Sequence, residues 1–258
     1  MFTLGCDRAY LYAHPERELT AAELSRYGHA LKQRAQGVPS QYITGHQEFW
    51  GMDLIVSPAV LIPRPETEHV VETVLGLISR RGALRADSGS AGYRIVDVGT
   101  GSGCIALALS KERPDAEVHA TEISPAALEV ARANAARHQL EAGIRFHQTN
   151  LLQGLESGYF DVVASNPPYV GESEEDEVQL EVRKFEPRSA VFAGPTGLEV
   201  IERLIPQAYI VLKPGAYLVL EMSGTIATGV ARLLKDWHDL QITNDLQGIP
   251  RVAAARKP

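Results

Sequence analysis

Five consecutive residues, Ser165 to Tyr169, place an amide side chain, two prolines and an aromatic ring directly after an apolar stretch. The prolines fix an extended path and withhold two backbone N–H donors, so carbonyl oxygens face outward. The Asn166 oxygen and the Pro167 carbonyl can accept both N–H groups of a planar amide or amine that lies against Tyr169. Because a conjugated nitrogen is a poor nucleophile, such a grip aims its lone pair at an electrophile. The alternative is a turn that only ends a strand.

A glycine-rich segment, Asp97 to Gly103, follows an earlier apolar run. Gly99, Gly101 and Gly103 allow a tight turn and let a ligand approach the backbone within contact distance. A loop of this kind between a strand and a helix binds nucleotide-like ligands at the carboxyl edge of a parallel sheet. Its spacing is GxGxG, whereas dinucleotide-binding proteins use GxGxxG. The segment predicts a nucleotide-like ligand, with a purely structural turn as the alternative.

Two further positions are spaced to hold the same ligand. Glu122 comes about twenty residues after the loop, where a carboxylate can accept hydrogen bonds from two ribose hydroxyls. Asn150 and Leu151 follow the third β-prone run, where a polar and an apolar side chain would bound an adenine base. Glu122 has an alternative role as a cap of the helix that begins at Ser124.

The residues from 94 onward alternate β-branched runs with helical stretches, which is typical of a parallel sheet covered by helices on both faces. The predicted strands are Arg94–Val98, Glu117–Thr121, Ile144–Gln148, Phe160–Ala164, Ala216–Met222, Gln241–Asn244 and Arg251–Ala255. Helices are predicted to begin near Cys104, Ser124, Gly197 and Ile226. No helix fits between the last two strands, so we expect an antiparallel pair there. The result is a mainly parallel seven-stranded sheet with one reversed strand.

The first helix that the sequence marks is bounded at both ends. Thr20 and Glu23 predict a capping box, and Gly37 predicts a stop. Its one-sided apolar residues are Leu24, Tyr27, Leu31 and Ala35. Such a stripe requires a partner surface.

The region between this helix and the sheet contains three predicted features. Residues 42–57 are β-prone and Gly-punctuated, which predicts a short strand pair. Residues 65–81 begin with a proline and acidic side chains, which predicts a helix. Residues 82–92 are rich in Gly, Ser and Ala, which predicts a linker. The expected parts are a helical unit over residues 1–45, a hairpin, helix and linker over 46–92, and a doubly wound α/β domain over 93–258.

Composition narrows the class of protein. The 258 residues include 25 Lys and Arg against 32 Asp and Glu, a formal charge of −7 that predicts no broad basic face for nucleic acid. Cys6 and Cys104 cannot form a disulfide framework, and the histidines lack metal-binding spacing, so we expect no metal site. No run approaches the ~20 apolar residues of a membrane span, and the start does not look like a leader. We expect a cytoplasmic protein without membrane attachment.

These segments resemble the amino-methyltransferases that use S-adenosylmethionine, and further ones narrow the resemblance to the release-factor glutamine methyltransferase family. The matching segments are Asn166–Tyr169, Asp97–Gly103, Tyr42–Gly45, Phe49–Gly51, Leu61–Glu68, Glu186–Arg188, Leu212–Gly215 and Gly248–Arg251. The Asn-Pro-Pro-Tyr motif is shared with DNA adenine methyltransferases. The Pro-Arg-Pro-Glu-Thr-Glu segment is much more specific.

The resemblance implies a Rossmann-like class I methyltransferase that methylates the side-chain amide nitrogen of the glutamine in the Gly-Gly-Gln loop of a peptide-chain release factor. The donor would be S-adenosylmethionine and the product S-adenosylhomocysteine, with no direct nucleic-acid contact, and we expect a monomer. The implied catalytic residues are Asn166, Pro167 and Tyr169. Further substrate contacts are implied for Pro168, Arg64 and Glu66, with Glu68 nearby. The implied cofactor residues are Gly99, Thr100, Gly101, Ser102, Gly103, Glu122, Asn150, Leu151 and Asn166.

The chain departs from the family pattern in three places. Glu122 and Asn150 stand where the family usually has Asp, so the second position loses a charge. Residues 193–197 replace a loop that usually carries an acidic residue before Gly. The chain is expected to lack part of the amino-terminal helical domain, which would affect recognition of the partner more than catalysis.

Three other functions stay open at this point. One is an adenine-specific nucleic-acid methyltransferase, against which the acidic run at 172–177 argues because it would repel phosphates. A second is glutamine methylation of a ribosomal protein. A third is a cofactor-binding module without activity, which would not require an amide-holding motif.

Overall fold

The amino-terminal helices come first in a computed structural model that describes residues 2–84 and 92–258. Helix α1 spans Arg8–Ala13, α2 spans Ala21–Ala35 and α3 spans Ser40–Thr44. Thr20 Oγ1 accepts a hydrogen bond from Glu23 N at 3.2 Å, and the Glu23 carboxylate accepts one from Thr20 N at 2.9 Å, which confirms the capping box. Helix α1 precedes the first helix that the sequence marks, and Asp7 Oδ1 caps it by accepting a hydrogen bond from Tyr10 N at 2.7 Å.

The apolar stripe of α2 stays largely exposed. Leu24, Tyr27 and Leu31 are all classed among the exposed large apolar side chains of the described residues. Helix α1 has only six residues, which is too short to cover a stripe of two to three turns. The predicted partner surface is therefore absent from residues 2–84 and 92–258.

A hairpin and a long helix connect this unit to the sheet. Strands β1 and β2 are His46–Phe49 and Met52–Ile55, and helix α4 is Glu68–Leu84, preceded by a 3-10 turn over Pro65–Thr67. The strands pair antiparallel, so the predicted strand pair is confirmed. Glu68 Oε1 accepts a hydrogen bond from Trp50 N at 2.8 Å and fixes the hairpin turn to the helix start. Residues 82–84 belong to α4, so the predicted linker is wrong there, and its residues 85–91 lie outside the described residues.

The described part of residues 92–258 builds a seven-stranded sheet. This region contains nine strands, seven of which form the sheet: β3 Arg94–Val98, β4 Glu117–Glu122, β5 Ile144–Gln148, β6 Phe160–Ser165, β7 Val170–Gly171, β8 Phe192–Gly194, β9 Leu212–Glu221, β10 His238–Asn244 and β11 Pro250–Arg256. The order in the sheet is β10-β11-β9-β6-β3-β4-β5, and β7 pairs with β8 separately. Strand β11 runs antiparallel to both of its neighbours, while β9, β6, β3, β4 and β5 are parallel. The predicted sheet with one reversed strand is confirmed.

Helices cover both faces of this sheet. The helices that follow β3 are α5 Cys104–Glu112, α6 Pro125–Arg137, α7 Leu180–Phe185, α8 Arg188–Val191, α9 Glu199–Val211 and α10 Ala227–Leu233. One buried cluster joins the hairpin, α4 and α5 to one face, and a second joins α9 and α10 to the other. Burial of these apolar side chains is the main force that holds the layers together. The carboxyl ends of β3, β4 and β6 are thereby fixed beside one another.

The segment between β6 and α9 contains structure that the sequence did not predict. Helices α7 and α8 and the β7–β8 pair lie there, directly after the Asn-Pro-Pro-Tyr motif.

Across the described residues, no helix combines the length and the apolarity that a bilayer crossing needs.

Candidate active site

A cavity of ≈ 390 Å³ opens at the carboxyl ends of β3, β4 and β6. Parallel sheets of this type bind ligands at this edge. Sequence-predicted residues that line it are Arg64, Gly99, Thr100, Gly101, Ser102, Glu122, Asn150, Leu151, Asn166 and Pro168. Predicted residues that lie outside its lining are Glu66, Gly103, Pro167 and Tyr169. The fold thus brings most of the predicted site together around one space.

The glycine loop divides into two functional parts. Gly99 and Gly101 have positive φ angles of 70° and 54°, and a Cβ on Gly99 would meet no heavy atom within 4 Å. A Cβ on Gly103 would lie 2.5 Å from Leu107 Cδ1, inside the core. The first two glycines therefore leave room for a ligand, whereas Gly103 is required for packing of α5 and α6.

Asp97 holds this loop in shape. Its buried carboxylate accepts hydrogen bonds from Thr100 Oγ1 at 2.6 Å and from Ala106 N at 3.2 Å. Burial raises the pKa of Asp97 to about 7, which the hydrogen bonds from Thr100 and Ala106 oppose and the charge of Glu122 reinforces. Asp97 thus acts as an anchor of the loop rather than as a group exposed to a ligand.

Glu122 lines the cavity and holds both the glycine loop and the turn that follows β4. Its Oε2 accepts a hydrogen bond from Gly101 N at 3.0 Å, and its Oε1 accepts hydrogen bonds from Ile123 N and Ser124 N at 2.9 Å. A carboxylate offers about four acceptor sites, so these three bonds leave about one for a ligand hydroxyl. The helix itself is capped by Ser124, whose hydroxyl accepts a hydrogen bond from Ala127 N at 3.3 Å, so the alternative role of Glu122 as the helix cap is wrong. The role of Glu122 toward a ribose stays a prediction.

Two further residues that line the cavity, Arg203 and Ile123, were not predicted from the sequence. Arg203, on α9, donates from Nη2 to Asn150 Oδ1 at 2.9 Å and lines the cavity. Ile123 is 60% exposed beside Glu122 and also lines it. An apolar residue after the acid that ends β4 is a signal that could have revealed Ile123. No local pattern marks Arg203, because the contact depends on tertiary packing of α9.

The Asn-Pro-Pro-Tyr motif is held from behind by residues of distant elements. Asn166 Nδ2 donates to Thr67 Oγ1 at 3.0 Å, which turns its Oδ1 away from Thr67. The Tyr169 hydroxyl donates to Oε1 of the buried Glu221 at 3.1 Å. Burial and the Glu221 charge raise the pKa of Tyr169, so its hydroxyl keeps its proton. Thr67 and Glu221 were not among the predicted site residues.

The Pro-Arg-Pro-Glu-Thr-Glu segment interacts with the end of α7 and with the end of β9. Arg64 forms an ion pair with the buried Glu186, whose second oxygen accepts a hydrogen bond from Ile62 N at 3.1 Å. Glu66 lies near Glu221 and raises the pKa of that carboxyl. Glu68 accepts a hydrogen bond from Trp50 N in the hairpin turn, and its expected role beside the site stays a prediction.

The loop over residues 193–197 packs on the same motif. A Cβ on Gly197 would lie 2.5 Å from the carbonyl oxygen of Tyr169, so only glycine fits there. Glu199 Oε1 accepts hydrogen bonds from Thr196 N at 2.7 Å and Thr196 Oγ1 at 2.9 Å. An acidic side chain is thus present at this loop, supplied by the first turn of α9.

The acidic run beyond the motif is partly neutralised by its own chain. Glu175 forms a two-point ion pair with Arg188 at 2.6 and 3.1 Å, and Asp176 pairs with Arg183 at 2.8 Å. These exposed pairs weaken the repulsion that the run would exert on phosphates.

Within residues 2–84 and 92–258, no group of three or more His, Cys, Asp or Glu side chains is arranged to hold a metal ion.

Comparisons with known proteins agree with this geometry. The family model described as Methyltransferase small domain matches residues 83–184, and the model described as PrmC N-terminal domain matches residues 1–45. Among solved structures, the hMettl16 catalytic domain in complex with the MAT2A 3′UTR hairpin 6 is 16% identical, covers 98% of this chain and 93% of its own, and gives a TM-score of 0.61. The Thermus thermophilus 16S rRNA methyltransferase RsmC, in complex with AdoMet and guanosine, is 18% identical, covers 83% and 50%, and gives 0.58. At these identities the likeness concerns the fold alone.

Sequence relatives are much closer. The release factor glutamine methyltransferase of Koribacter versatilis is 53% identical over 100% of this chain and 89% of its own length. The protein of the same name from Chlorobaculum tepidum is 41% identical over 96% of this chain and 84% of its own. The chain therefore belongs to the release factor glutamine methyltransferase family.

Proposed function

We propose that the protein transfers a methyl group from S-adenosylmethionine to the side-chain amide nitrogen of the glutamine in the Gly-Gly-Gln motif of a peptide-chain release factor. The observation that carries this proposal is the orientation of Asn166. Its Nδ2 is bound to Thr67, so Oδ1 is the group offered to a substrate amide. The names of the two closely similar relatives support the release factor as substrate.

The volume of the cavity and the polar and apolar groups that line it support S-adenosylmethionine as its ligand. Gly99 and Gly101 leave a cradle that a side chain would fill. The Glu122 carboxylate lines the space as an acceptor for a ribose hydroxyl, and Ile123 and Leu151 provide apolar surface for a base. The volume of ≈ 390 Å³ falls within the range of about 300–1,000 Å³ that small-molecule sites occupy.

The residues of the motif supply alignment rather than acid or base. S-adenosylmethionine brings a methyl group on a positively charged sulfur and leaves as S-adenosylhomocysteine. The Asn166 oxygen and the Pro167 carbonyl accept the two N–H groups of the substrate amide, while Pro168 and Tyr169 bound its plane. This grip directs the nitrogen lone pair, and the gain is realised mainly in the transition state. Asn166 is a neutral amide, so the released proton passes to water.

A protein substrate fits the surface near the site better than a nucleic acid does. The run over residues 172–177 is acidic, and the whole chain has a formal charge of −7. Two of its acids are paired with arginines, yet the others offer no attraction for a phosphate backbone. A basic loop of a protein would be attracted instead.

Transfer of label from tritiated S-adenosylmethionine tests this choice of substrate. The protein is incubated with a purified release factor and, in parallel, with duplex DNA, single-stranded DNA and a ribosomal protein mixture at physiological salt. We expect label in the release factor alone, and we expect Asn166→Ala to abolish most of it. Stronger labelling of nucleic acid, or labelling that Asn166→Ala leaves unchanged, would contradict the proposal.

We also propose that the protein acts as a monomer in the cytoplasm, where release factors meet the ribosome. Both cysteines are free thiols, which suits a reducing compartment. Light scattering after gel filtration should give the mass of one chain, and the mass of a dimer would contradict this.

A further inference from the structure

Two segments form walls of the cavity at the end where the Asn-Pro-Pro-Tyr motif lies. The first wall runs over residues 61–64 and leads to Thr67, whose Oγ1 accepts a hydrogen bond from Asn166 Nδ2 at 3.0 Å. The second wall runs over residues 187–190 and leads to Phe192, which pairs with the residue directly after the motif. Both walls therefore continue into the motif. Their cavity-lining residues are Leu61, Pro63 and Arg64 in the first wall and Pro187, Ser189 and Ala190 in the second.

Glu186 joins the two walls to each other. It directly precedes the second wall, and its side chain is only 1% exposed. Its carboxylate forms an ion pair with Arg64 Nη2 and accepts a hydrogen bond from Ile62 N at 3.1 Å. Both of these donors belong to the first wall. A buried carboxylate is costly unless it is paired in this way, so the contact is part of how the cavity is built.

The ion pair decides the charge that the cavity offers next to the motif. Of the described residues that line the cavity, three carry a charged side chain, and two of them contact predicted cofactor residues: Glu122 binds the glycine loop and Arg203 binds Asn150. Arg64 is the third. Its charge reaches the motif, because it opposes the rise that burial causes in the pKa of Tyr169. Without its carboxylate partner, Arg64 would leave an uncompensated positive charge at this end of the cavity.

This charge balance matters because glutamine and glutamate side chains have nearly the same shape. They differ in one group, which is a neutral amide in glutamine and a carboxylate in glutamate. A free guanidinium binds a carboxylate strongly through charge-assisted, often two-point hydrogen bonds. The Glu186 charge offsets that attraction and would repel a second carboxylate nearby. A neutral amide is not subject to this repulsion, so the ion pair favours an amide over a carboxylate.

We propose that Glu186 is a specificity-determining residue, which makes the site select the side-chain amide of glutamine over the carboxylate of glutamate by offsetting the charge of Arg64. The inference rests on the proposed function, because it concerns the side chain that binds beside Asn166. Glu186 itself does not line the cavity, so it acts as a positioning residue through Arg64.

Binding of two forms of a purified release factor tests this selection. One form carries Gly-Gly-Gln and the other Gly-Gly-Glu, and S-adenosylhomocysteine is present so that no methyl group is transferred. The wild type should bind the glutamine form at least about tenfold more tightly. Glu186→Gln removes the charge and keeps the shape, so its affinity for the glutamate form should rise about tenfold or more, a gain that a loosened structure would not produce. An unchanged ratio of the two affinities in folded Glu186→Gln overturns the inference.

Two variants at Arg64 test the same charge balance from the other side. Arg64→Gln leaves Glu186 without its cation, so the affinity for the glutamate form should fall below that of the wild type. Combining Arg64→Gln with Glu186→Gln removes both charges and should restore the wild-type ratio within a few-fold. A higher affinity of Arg64→Gln for the glutamate form overturns the inference, even if Glu186→Gln does not fold.

Asp161→Asn is the matched control for the loss of a buried acid. The Asp161 side chain is also 1% exposed and pairs with Lys213 at 2.7 Å, and neither residue lines the cavity. Lys213 is 31% exposed and Arg64 is 33% exposed, so the two ion pairs are similar in their access to solvent. The ratio of affinities in Asp161→Asn should stay as in the wild type. A rise in affinity for the glutamate form in this variant too would overturn the specific role of Glu186.

An acetate titration keeps this inference distinct from the proposed function, because it needs no release factor. The side-chain ¹H–¹⁵N signals of Asn166, assigned by their loss in Asn166→Ala, should shift with acetate in Glu186→Gln and not in the wild type, whereas acetamide should give no such difference. If the wild type methylates no release factor, the proposed function fails while this titration still tests the charge balance. Identical acetate shifts in both proteins would overturn the inference even when the enzyme is active.

Discussion

The two ends of the glycine loop should respond differently to the same added methyl group. Gly99 and Gly103 have φ angles of 70° and 87°, a region that costs an L-residue roughly 1–2 kcal/mol. A Cβ on Gly99 would enter open space within the cavity. A Cβ on Gly103 would lie 2.5 Å from Leu107 Cδ1 and 3.3 Å from Ala131 Cβ, and both neighbours are buried. The first change therefore affects a ligand, and the second affects the core.

These contacts set the expected magnitudes. Overpacking costs about 1–3 kcal/mol, so Gly103→Ala should lower the free energy of unfolding by about 2–5 kcal/mol and Gly99→Ala by about 1–2 kcal/mol. Gly99→Ala should weaken S-adenosylmethionine binding about tenfold or more, which corresponds to about 1.4 kcal/mol, because the methyl group fills the cradle. Folded Gly103→Ala should bind within a few-fold of the wild type.

Urea unfolding gives the stability of each variant, and calorimetry on the folded fraction gives its affinity. The variants are controls for each other, since both add one methyl group at a positive φ angle. Normal S-adenosylmethionine binding by Gly99→Ala, or a Gly103→Ala variant no less stable than Gly99→Ala, would contradict these different roles of the two glycines.

Two other substitutions test the roles of single polar groups. Asn166→Ala should lower kcat by about 10² while cofactor affinity stays within a few-fold, because one preorganised polar contact is lost; near-normal turnover would contradict this. Burial raises the pKa of Asp97 to about 7, so its stabilising proton is fully bound below its unfolded pKa near 4 and is lost as pH rises through about 7. Between pH 5 and pH 8 the wild type should therefore lose about 3 kcal/mol more stability than Asp97→Asn, since about two pH units separate pH 5 from the folded pKa. Equal losses in urea unfolding at the two pH values would rule out this role for Asp97.

The central sheet could be predicted because each buried strand carries its own local signal. Strands β3 and β5 begin and end where the β-branched runs predict. The predicted start of strand β9 was Ala216, because Pro214 and Gly215 resemble a turn by sequence. The strand in fact begins at Leu212. In the fold Pro214 and Gly215 belong to an irregular stretch beside β6, where Gly215 N donates to Lys257 O at 3.1 Å. The hydrogen bond between Gly215 and Lys257 joins residues that are far apart in the sequence, so the local sequence around Pro214 cannot predict it.

The parts of the candidate site that lie in short continuous motifs could be predicted from the sequence. The glycine loop, Glu122 and the Asn-Pro-Pro-Tyr segment each follow a strand, and the fold gathers them at one edge. The residues that orient them come from far away in the chain. Thr67 is 99 positions from Asn166, its partner, and no spacing rule links the two. Arg203 likewise meets Asn150 only through the packing of α9.

The division of the chain at residues 45 and 92 stays a prediction. The family models cover residues 1–45 and 83–184 and leave the hairpin and most of α4 between them. The hairpin and α4 share one buried cluster with the sheet, including Phe49, Leu54 and Val74. Residues 49–78 thus contribute to the core that supports the site, although sequence composition alone suggested a separate segment.

Methylation of one glutamine in a release factor can be detected by mass spectrometry of the modified peptide. A purified release factor is incubated with the protein and S-adenosylmethionine, digested, and compared with a sample treated with Asn166→Ala. We expect the gain of one methyl group on the glutamine of the Gly-Gly-Gln peptide with the wild type only. An unmodified Gly-Gly-Gln peptide, or a methyl group on another residue of the release factor, would contradict it.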